Sequence, residues 1–294
     1  MTIFIFGEAM LEYHGSGGEG LRYGGDTLNT AIHLARAGHD VAYVTALGTD
    51  AISDALVADW AREGIDTRFV LRHPTRQPGI YAIHVDAVGE RSFLYWRDQS
   101  AARAMFELPA MAAALDAAQS ASLLYYSLIS LAILPAEGRA GLLALADTVR
   151  RKGGEVAYDS NFRRNLWPSI AIARDASWQA VRLATIGLPT NIDEAQLQEL
   201  DLSVDQMGAQ WLAHGCNDVI IKAGEAGCYH FRSNTRAHFA AEYTKVVDSS
   251  GAGDAFNAGF LSAHMNGRGL EAAIQSGQQL ARWVIGRRGA LPKA

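Results

Sequence analysis

Short apolar runs alternate with amphipathic stretches along most of the chain. The apolar runs predict strands at residues 2–6, 41–47, 123–128, 156–159, 185–188 and 219–222. The amphipathic stretches predict helices at residues 28–37, 54–63, 137–150, 172–182, 204–214, 252–264 and 270–285. Nearly continuous apolar runs are typical of parallel strands that are buried on both faces. The pattern therefore predicts an α/β fold with a mostly parallel central sheet and helices on both of its faces.

One region interrupts this alternation. Residues 79–87 and 91–96 are two strand-like runs with no helix between them, joined by Val88-Gly89-Glu90. Such a pair predicts a β-hairpin. Together with the glycine-rich, extended segment 11–23, the hairpin predicts a small β-structure set on the main body. We interpret it as a β lid formed by about residues 11–23 and 66–98, with an ordinary edge hairpin as the alternative.

Composition and charge exclude several classes of protein. The chain has 26 Lys+Arg and 31 Asp+Glu, so its net charge is −5, and 49% of its 294 residues are hydrophobic. Disordered chains combine low hydrophobicity with high net charge, and nucleic-acid-binding domains carry a basic patch. The sequence has neither property, so we expect a folded protein without a nucleic-acid partner. Its length fits one large α/β domain or two smaller domains.

Three features of the sequence indicate the cellular compartment: the cysteine count, the first residues and the longest apolar stretch. Cys216 and Cys228 are too few for a disulfide framework or a zinc site. The first six residues lack the basic start and the cleavage site of a signal peptide. The longest apolar stretch, 121–134, is interrupted by serines and followed by Pro135, so it falls short of the ~20 residues of a membrane helix. We expect a cytoplasmic protein with no membrane partner.

The strongest candidate for chemistry is Asp248-Ser249-Ser250-Gly251-Ala252-Gly253-Asp254, which opens a predicted helix. Two glycines there let the backbone approach a ligand closely. The first turn of a helix offers free N–H groups and a positive dipole end to phosphate oxygens. A carboxylate beside such an anion site suits a general base that takes the proton of a substrate hydroxyl. A helix cap or first-turn dipole partner is the alternative role of Asp254.

Three further segments are candidate ligand sites. Residues 23–29 combine glycines with polar side chains that could contact sugar hydroxyls. Residues 222–227 and 191–194 each follow a predicted strand, and ligands of open α/β sheets bind at the carboxyl ends of strands. Each segment has an alternative interpretation: a capped helix for residues 23–29, a strand–turn–strand for residues 222–227 and a helix cap for residues 191–194. The sequence has no Walker-type loop and no G-x-G-x-x-G after its first strand, which disfavours a P-loop NTPase and a nicotinamide dehydrogenase.

Taken together, these segments resemble the ribokinase-like (PfkB) family of sugar kinases, in the same order and over most of the chain. The matching motifs are Gly24-Gly25-x-x-x-Asn29, Asn191-x-x-Glu194, Lys222-x-Gly224-x-x-Gly227 and Asp248-Ser249-Ser250-Gly251-Ala252-Gly253-Asp254. The last resembles the family signature D-T-x-G-A-G-D, with a serine that keeps the threonine's hydroxyl. The resemblance implies a three-layer ribokinase-like fold for residues 1–294, with a small β-sheet lid.

The resemblance also implies roles for individual residues. Asp254 would be the catalytic base, and the anion hole would be formed by the N–H groups of Gly251, Ala252, Gly253 and Asp254. The nucleotide would be bound by Asn191, Glu194, Lys222, Gly224, Gly227, Ser249, Gly251 and Gly253. The implied cofactors are ATP and Mg²⁺, with the Mg²⁺ on ATP and held by Asn191 and Glu194 through water. Activation by a monovalent cation is left open.

Within the family, four segments most resemble members that phosphorylate the 6-hydroxyl of 2-keto-3-deoxygluconate, a sugar that carries a carboxylate: residues 25–31, 95–97, 100–103 and 159–167. Arginine binds carboxylates through a planar fork of donors. By resemblance, the acid sugar would be contacted by Tyr81, Tyr95, Arg97 and Arg163, with Arg164 as an open alternative to Arg163. Gly25 and Asp26 would lie near its hydroxyls, and Gly24 and Asn29 belong to the same motif.

Two other functions remain open at this point. One is a kinase of the same family for a neutral sugar, of the fructokinase or ribokinase type. The other is a non-catalytic sugar- or nucleotide-binding protein of the same fold. An exposed strand of the lid could also pair with a second copy of the chain, since unpaired sheet edges favour association. We therefore predict a homo-oligomer formed through the lid, in addition to the acid sugar and ATP as small-molecule partners.

Overall fold

A computed structural model of the chain describes residues 1–14, 21–85, 91–233 and 235–293. The strands are β1 (Thr2–Phe6), β2 (Met10–His14), β3 (Leu21–Gly24), β4 (Asp40–Leu47), β5 (Ile65–Asp66), β6 (Val70–Arg72), β7 (Gly79–Val85), β8 (Arg91–Trp96), β9 (Leu123–Ser127), β10 (Glu155–Asp159), β11 (Ile186–Gly187), β12 (Asp218–Lys222), β13 (Cys228–Arg232) and β14 (Thr235–Phe239). The helices are α1 (Asp26–Arg36), α2 (Ala51–Arg62), α3 (Met111–Ala118), α4 (Leu128–Ile133), α5 (Ala136–Arg151), α6 (Ile170–Leu183), α7 (Asn191–Gln198), α8 (Val204–Ala213), α9 (Ala252–Met265) and α10 (Leu270–Ile285). Single 3₁₀ segments lie at Ala101–Glu107, Arg164–Leu166 and Gly224–Ala226.

The larger sheet runs in the order β14-β13-β12-β11-β10-β9-β1-β4-β5, and β6 also pairs with β4. From β12 to β5 neighbouring strands are parallel, whereas β13 and β14 add an antiparallel edge. Because successive side chains of a strand point to opposite faces, β1 contributes to two cores. Phe4 and Phe6 pack in the core with α5 and α6, and Ile3 and Ile5 pack in the core with α1 and α9. The predicted α/β architecture with helices on both faces is confirmed.

Most predicted elements appear with ends shifted by a few residues, and 2–6 and 270–285 have the predicted bounds. The predicted strand 123–128 differs because the chain turns into α4 directly after Ser127. The Ser127 hydroxyl accepts the N–H of Ser130, and the Ser130 hydroxyl accepts the N–H of Ser127. This reciprocal capping begins a helix inside one apolar stretch, where the pattern of apolar residues alone marks no boundary.

The second sheet has four strands in the order β3-β2-β7-β8. The two predicted hairpin strands are therefore part of a separate small sheet, although their connection, Val88-Gly89-Glu90, lies outside the described residues. The predicted lid boundary near residue 66 is wrong, because β5 and β6 pair with β4 of the larger sheet. Among the described residues, the small sheet spans 10–14, 21–24, 79–85 and 91–96.

The small sheet joins the main body at the start of α1. Gly24 ends β3, and Gly25 is the N-cap of α1 with a φ of 144°. A Cβ on Gly25 would lie 2.4 Å from the Glu8 carbonyl oxygen, so the position requires glycine. This link places the first turn of α1 between the small sheet and the carboxyl ends of the parallel strands. No helix in the described part of the chain is long and apolar enough to cross a membrane.

Candidate active site

The glycine turn before α9 is built from local backbone constraints. Gly251, the N-cap of α9, has a φ of 71°, and a Cβ there would lie 2.5 Å from the Ala290 Cβ. The Asp248 carboxylate accepts the N–H groups of Ser250 and Gly289, both at 2.9 Å. Asp248 thereby fastens the turn to the segment that follows α10. Asp248 is the first residue of the predicted motif, but its contacts with the turn and with Gly289 were not predicted.

The turn leaves backbone donors for a ligand. The Ala252 N–H donates to the Ser249 carbonyl at 3.3 Å, so this member of the predicted anion hole is already bonded. The N–H groups of Gly251, Gly253 and Asp254 have no acceptor among the described residues. Free N–H groups in the first turn of a helix form an anion site. Three of the four predicted donors, the N–H groups of Gly251, Gly253 and Asp254, therefore remain available for a ligand.

Asp254 lies in the first turn of α9, with its carboxylate facing α1. The Asn29 side-chain amide donates to its Oδ2 at 2.8 Å. Burial, together with the negative charge of Asp26, raises the pKa of Asp254 to about 8. A carboxylate of this basicity can accept a proton near neutral pH, as a general base must. Asn29 and Asp254, predicted from separate motifs, are thus brought together.

Asp26 is fixed next to this carboxylate by two donors. Its Oδ2 accepts the Ser127 hydroxyl at 2.5 Å and the Asn161 amide at 2.9 Å. Burial raises the pKa of Asp26 above its ordinary value. Ser127 ends β9 and Asn161 follows β10, so both come from the carboxyl ends of parallel strands. Neither residue was predicted as a site residue, although both follow the same strand-end rule as Asn191.

On the small-sheet side, two tyrosines lie near the same carboxylates. The Tyr81 hydroxyl donates to Glu12, and a Cβ on Gly24 would lie 2.7 Å from that hydroxyl. Burial and the charges of Glu12 and Asp254 raise the pKa of Tyr81, which therefore stays a neutral hydroxyl. The Tyr81 and Tyr95 rings are 6.0 Å apart between centroids. Gly24, Tyr81 and Tyr95, three of the residues predicted to contact the sugar, thus lie together on the small-sheet side of the site.

The two predicted carboxylate-binding arginines already have acidic partners. Arg97 is only 7% exposed and forms an ion pair with the fully buried Glu8. The Arg163 Nη1 lies 3.4 Å from the Asp193 Oδ1, and this arginine is half-exposed. Arg164, the open alternative, donates to the Trp167 carbonyl at 2.9 Å. The two ion pairs were not predicted, because Glu8 and Asp193 are distant in sequence from Arg97 and Arg163.

A cleft of about 560 Å³ lies on the other side of the glycine turn. The predicted nucleotide residues that line it are Lys222, Gly224, Gly227, Ser249 and Gly253. Its remaining wall is largely apolar and includes Val246, Phe256, Ala281 and Ile285. An apolar cleft that ends at free N–H groups fits a ligand with a flat base and a phosphate chain. Asn191, Glu194 and Gly251 do not line this cleft.

Asn191 and Glu194 lie in the first turn of α7. Glu194 is 1% exposed, and its Oε1 has no hydrogen-bond partner among the described residues. Burial raises the pKa of Glu194 to about 7. A buried carboxylate oxygen without a donor and a neighbouring amide oxygen are the oxygen ligands that Mg²⁺ and its waters prefer. The residues predicted to organise Mg²⁺ therefore have chemistry that fits it.

A polar cluster that the sequence analysis missed lies behind the glycine turn. The Lys222 ammonium donates to Asp159 and to Asn257, both at 3.0 Å. The Asn257 amide donates to Asp159 at 2.7 Å and to the Tyr125 hydroxyl at 3.0 Å. Asp159 ends β10, and Asn257 lies one helical turn after Gly253. Strand-end position and helical spacing were the available signals for these two residues.

Comparison with known proteins agrees with this geometry. Residues 16–293 match the family described as pfkB family carbohydrate kinase. The chain is 39% identical to the 2-dehydro-3-deoxygluconokinase of Haemophilus influenzae, over 98% of this chain and 95% of that one. It is 38% identical to the protein of the same name in Dickeya dadantii, over 99% and 96%. A ribokinase II structure from E. coli in complex with ATP and Mg²⁺ has the same fold, with a TM-score of 0.85, 21% identity and coverage of 98% and 94%.

Proposed function

The chain belongs to the pfkB family of carbohydrate kinases, and from this premise we propose that it transfers the γ-phosphoryl group of ATP to 2-keto-3-deoxy-D-gluconate, giving the 6-phosphate. The observation that carries the proposal is a basic carboxylate, Asp254, in the first turn of a helix whose N–H groups face a nucleotide-sized cleft. The substrate follows from the relatives, because 2-dehydro-3-deoxygluconate is another name for this sugar acid.

In this mechanism, Asp254 accepts the proton of the attacking hydroxyl. The hydroxyl oxygen forms a bond to the γ-phosphorus while the bond from that phosphorus to the leaving oxygen of ADP breaks. The N–H groups of Gly253 and Asp254 and the positive end of α9 stabilise the negative charge on the phosphoryl oxygens. Asn29 holds the base in place through its 2.8 Å hydrogen bond.

Asn191 and Glu194 are the residues that would hold Mg²⁺ through water. When bound to ATP, Mg²⁺ neutralises charge on the phosphates. The unpartnered Glu194 oxygen is the feature of this chain that fits the role. Parallel assays in potassium and sodium buffers test whether a monovalent cation activates the enzyme, which the sequence left open. We keep the cytoplasm, where ATP is available, as the proposed compartment.

The acid sugar would be recognised by Arg97 and Arg163. The Arg163–Asp193 pair is partly exposed and 3.4 Å long. Exposed pairs contribute only about 0–1 kcal/mol, so a substrate carboxylate can replace Asp193 at little cost. Arg97 keeps Glu8 as its partner, but its Nε has no acceptor among the described residues. That unused donor supports a contact with the ligand.

A kinase assay over acid and neutral sugars tests the function. ATP consumption by the purified protein is measured with 2-keto-3-deoxygluconate, its galactonate epimer, fructose and ribose. We expect the highest kcat/KM with 2-keto-3-deoxygluconate. A neutral sugar as the best substrate would overturn the proposed acceptor, and no ATP consumption with any sugar would leave only a binding function.

A neutral-sugar kinase is the second candidate function. The observation that favours it is that Arg97 and Arg163 both have carboxylate partners in the structure. With their charges balanced by Glu8 and Asp193, the sugar side is less cationic than two free arginines would make it. The same assay separates the two candidates, because a site with no available cation shows no preference for a sugar acid over its neutral analogue.

We also propose that the small sheet is a lid that limits water in the site and that its outer face joins two copies of the chain. The register places Ile80 opposite Trp96, and Tyr13 beside Ala82 on the same face. Leu11 of this face is buried, whereas five large apolar residues of the same face are 36–61% exposed: Tyr13, Leu21, Ile80, Leu94 and Trp96. Exposed apolar patches of this kind mark interaction surfaces.

The solution mass tests the lid interface. We expect the wild-type chain to have the mass of an oligomer and Trp96→Glu to shift it towards the monomer, because a charge is costly in an apolar interface. Ile172→Glu, at an exposed apolar residue on α6, is the control. A monomeric wild-type mass, or an oligomer that Trp96→Glu leaves intact, would contradict the proposal.

A further inference from the structure

A buried set of polar side chains connects the ends of β10 and β12 and the middle of β9 to α9. It consists of Asp159 (β10), Lys222 (β12), Tyr125 (β9) and Asn257 (α9), and we name it the Lys222 cluster. Each of these residues is at most 7% exposed. The proposed mechanism uses none of them, and the sequence analysis assigned only Lys222, as a nucleotide-binding residue.

Hydrogen bonds within the cluster hold the ammonium in one position. Lys222 donates to the Asp159 Oδ2 and to the Asn257 Oδ1, each at 3.0 Å. The Asn257 amide uses both of its N–H groups, one on Asp159 at 2.7 Å and one on the Tyr125 hydroxyl at 3.0 Å. Both acceptors of the ammonium are therefore themselves fixed, one by a strand end and the other by the second turn of α9.

One donor of the ammonium remains unused. An ammonium group has three N–H donors, and the third of Lys222 has no acceptor among the described residues. A Cβ on Gly253 would lie 3.6 Å from the Lys222 Nζ, and both residues line the 560 Å³ cleft. Because Gly253 has no side chain, a ligand in the cleft can approach the ammonium next to the free N–H groups of the turn.

Stability alone does not account for a buried pair of this kind. The desolvation of two charges commonly equals or exceeds their mutual attraction, so a buried ion pair often stabilises a fold no more than apolar residues of similar size would. The Lys222–Asp159 pair is nevertheless placed at the strand ends, directly behind the anion site. Its position indicates a role in binding or in the chemical step.

We propose that Asp159 and Asn257 are positioning residues, which hold the Lys222 ammonium so that its third N–H meets an oxygen of the phosphoryl group in transfer. This inference rests on the proposed phosphoryl transfer. Asp159 does not contact the substrate, because its carboxylate is occupied by Lys222 and Asn257. A cation that is already in place stabilises the charge of the transition state without reorganising during the reaction.

The cluster also sets the charge around the base. The groups that face Asp254 are Asp26 from α1, Asp159 from β10, Lys222 from β12 and the hydroxyls of Tyr81 and Tyr125. The Asp159 charge favours the protonated form of Asp254, and the Lys222 charge opposes it. Neutralising Asp159 therefore moves the rise of kcat/KM with pH to lower pH. A residue that only supports the fold would leave this profile unchanged.

A double-mutant cycle tests the proposal with the full-length protein, ATP, Mg²⁺ and the best sugar of the panel. The variants are Asp159→Asn, Lys222→Met and their combination. Loss of one preorganised donor costs about 10²–10³-fold in kcat, so we expect a loss of this order for Lys222→Met. Asp159→Asn is expected to cost roughly tenfold in kcat, with the sugar KM nearly unchanged and the pH profile shifted. Asp218→Asn, at the other end of β12 and paired with His230, is the matched control and keeps wild-type kcat.

Thermal unfolding separates catalysis from folding in the same cycle. Lys222→Met leaves Asp159 buried without its counter-ion and lowers the Tm, whereas the combined variant removes both charges and recovers it. At a pH high enough for Asp254 to be ionised in every variant, the combined variant is expected to keep the low kcat of Lys222→Met, because Asp159 then affects kcat only through Lys222. If Asp159→Asn lowers kcat by the same factor in the wild type and in Lys222→Met, the inference is overturned. A near-normal kcat of the combined variant would also overturn it. Inactive wild-type protein would instead refute the proposed kinase function.

Discussion

The phosphate side and the acid-sugar side of the site hold positive charge in different ways. On the phosphate side, the N–H groups of Gly253 and Asp254 and one N–H of Lys222 lack acceptors among the described residues. These donors are fixed by a helix start and by a buried cluster. The phosphate side is therefore ready for an anion before any ligand arrives.

On the acid-sugar side, each predicted cation is already neutralised. Arg97 is paired with Glu8 in the interior, and Arg163 is paired with Asp193 near the surface. A sugar carboxylate must share or replace these partners. Phosphate binding therefore depends on donors that the fold already holds in place, whereas sugar selectivity depends on a balance between competing carboxylates. The following predictions test each side.

The largest expected effect is on the phosphate side. Asp254→Asn removes the base and lowers kcat by about 10²–10⁴-fold, the usual contribution of general base catalysis. The matched control is Asp205→Asn, which removes another first-turn acid, on α8, and leaves kcat unchanged. The two variants are compared by initial rates of ADP formation. Near-normal turnover of Asp254→Asn would reduce Asp254 to a helix-dipole partner.

Arg97 gives the next largest effect, on the sugar side. Arg97→Lys keeps a charge for Glu8 but loses the planar fork, so we expect the acid-sugar KM to rise by roughly 10–100-fold, the value of a charged hydrogen bond. The KM for a neutral ketose is measured as the control and should change little. An equal change of KM for both sugars would show that Arg97 does not recognise the sugar carboxylate.

Arg97→Leu tests the Arg97–Glu8 pair through the free energy of unfolding. It leaves Glu8 buried and uncompensated, and breaking a buried pair in this way costs about 3–5 kcal/mol. Denaturant unfolding measures this cost, and Arg97→Leu combined with Glu8→Gln should recover part of it. A single variant as stable as the wild type would show that the buried pair is not intact in solution.

The pKa of Asp254 predicts how stability depends on pH. Its folded-state pKa of about 8 lies above the ordinary value of 3.8, so the folded protein binds a proton that the unfolded chain releases. The wild type therefore loses stability relative to Asp254→Asn as the pH rises from 4 to 8. We expect the Tm difference to widen over this range by on the order of a few degrees and then to level off. A constant difference would contradict the raised pKa.

Arg163 should have the smallest effect. Arg163→Ala breaks a half-exposed pair, so it changes the free energy of unfolding by less than about 1 kcal/mol. If Arg163 contacts the acid sugar, Arg163→Ala raises the KM for that sugar by up to about tenfold, whereas Arg164→Ala leaves this KM unchanged. The reverse result would assign the contact to Arg164. No change in either variant would leave Arg97 as the sugar-side cation.

Local signals in the sequence predicted much of the fold and the phosphate side. The apolar runs located β1, β4, β9, β10 and β12, because strands buried on both faces require apolar side chains at every position. Gly251 and Gly253 located the anion turn, because a positive φ and a close approach both require glycine. Asp254 was recognisable since it directly follows that turn in sequence.

The partners of the charged side chains could not be predicted in the same way. Glu8 and Arg97 are 89 residues apart, and Asp159 and Lys222 are 63 apart. Their pairing depends on the order of strands within the larger sheet and on how the small sheet packs against it. The boundary of the small sheet was wrong for the same reason, because the strand character of β5 and β6 does not reveal which sheet they join.

The α/β class and the glycine turn that Asp254 follows can be predicted from the order of residues, since backbone conformation and burial periodicity act over a few residues. The sharing of charge among the ionised side chains depends on the folded chain. Folding places an unused N–H of Lys222 at the anion site and gives both sugar-side arginines acidic partners. The physical reason is that electrostatic energy and pKa values depend on distance and burial in space, which the order of residues does not specify.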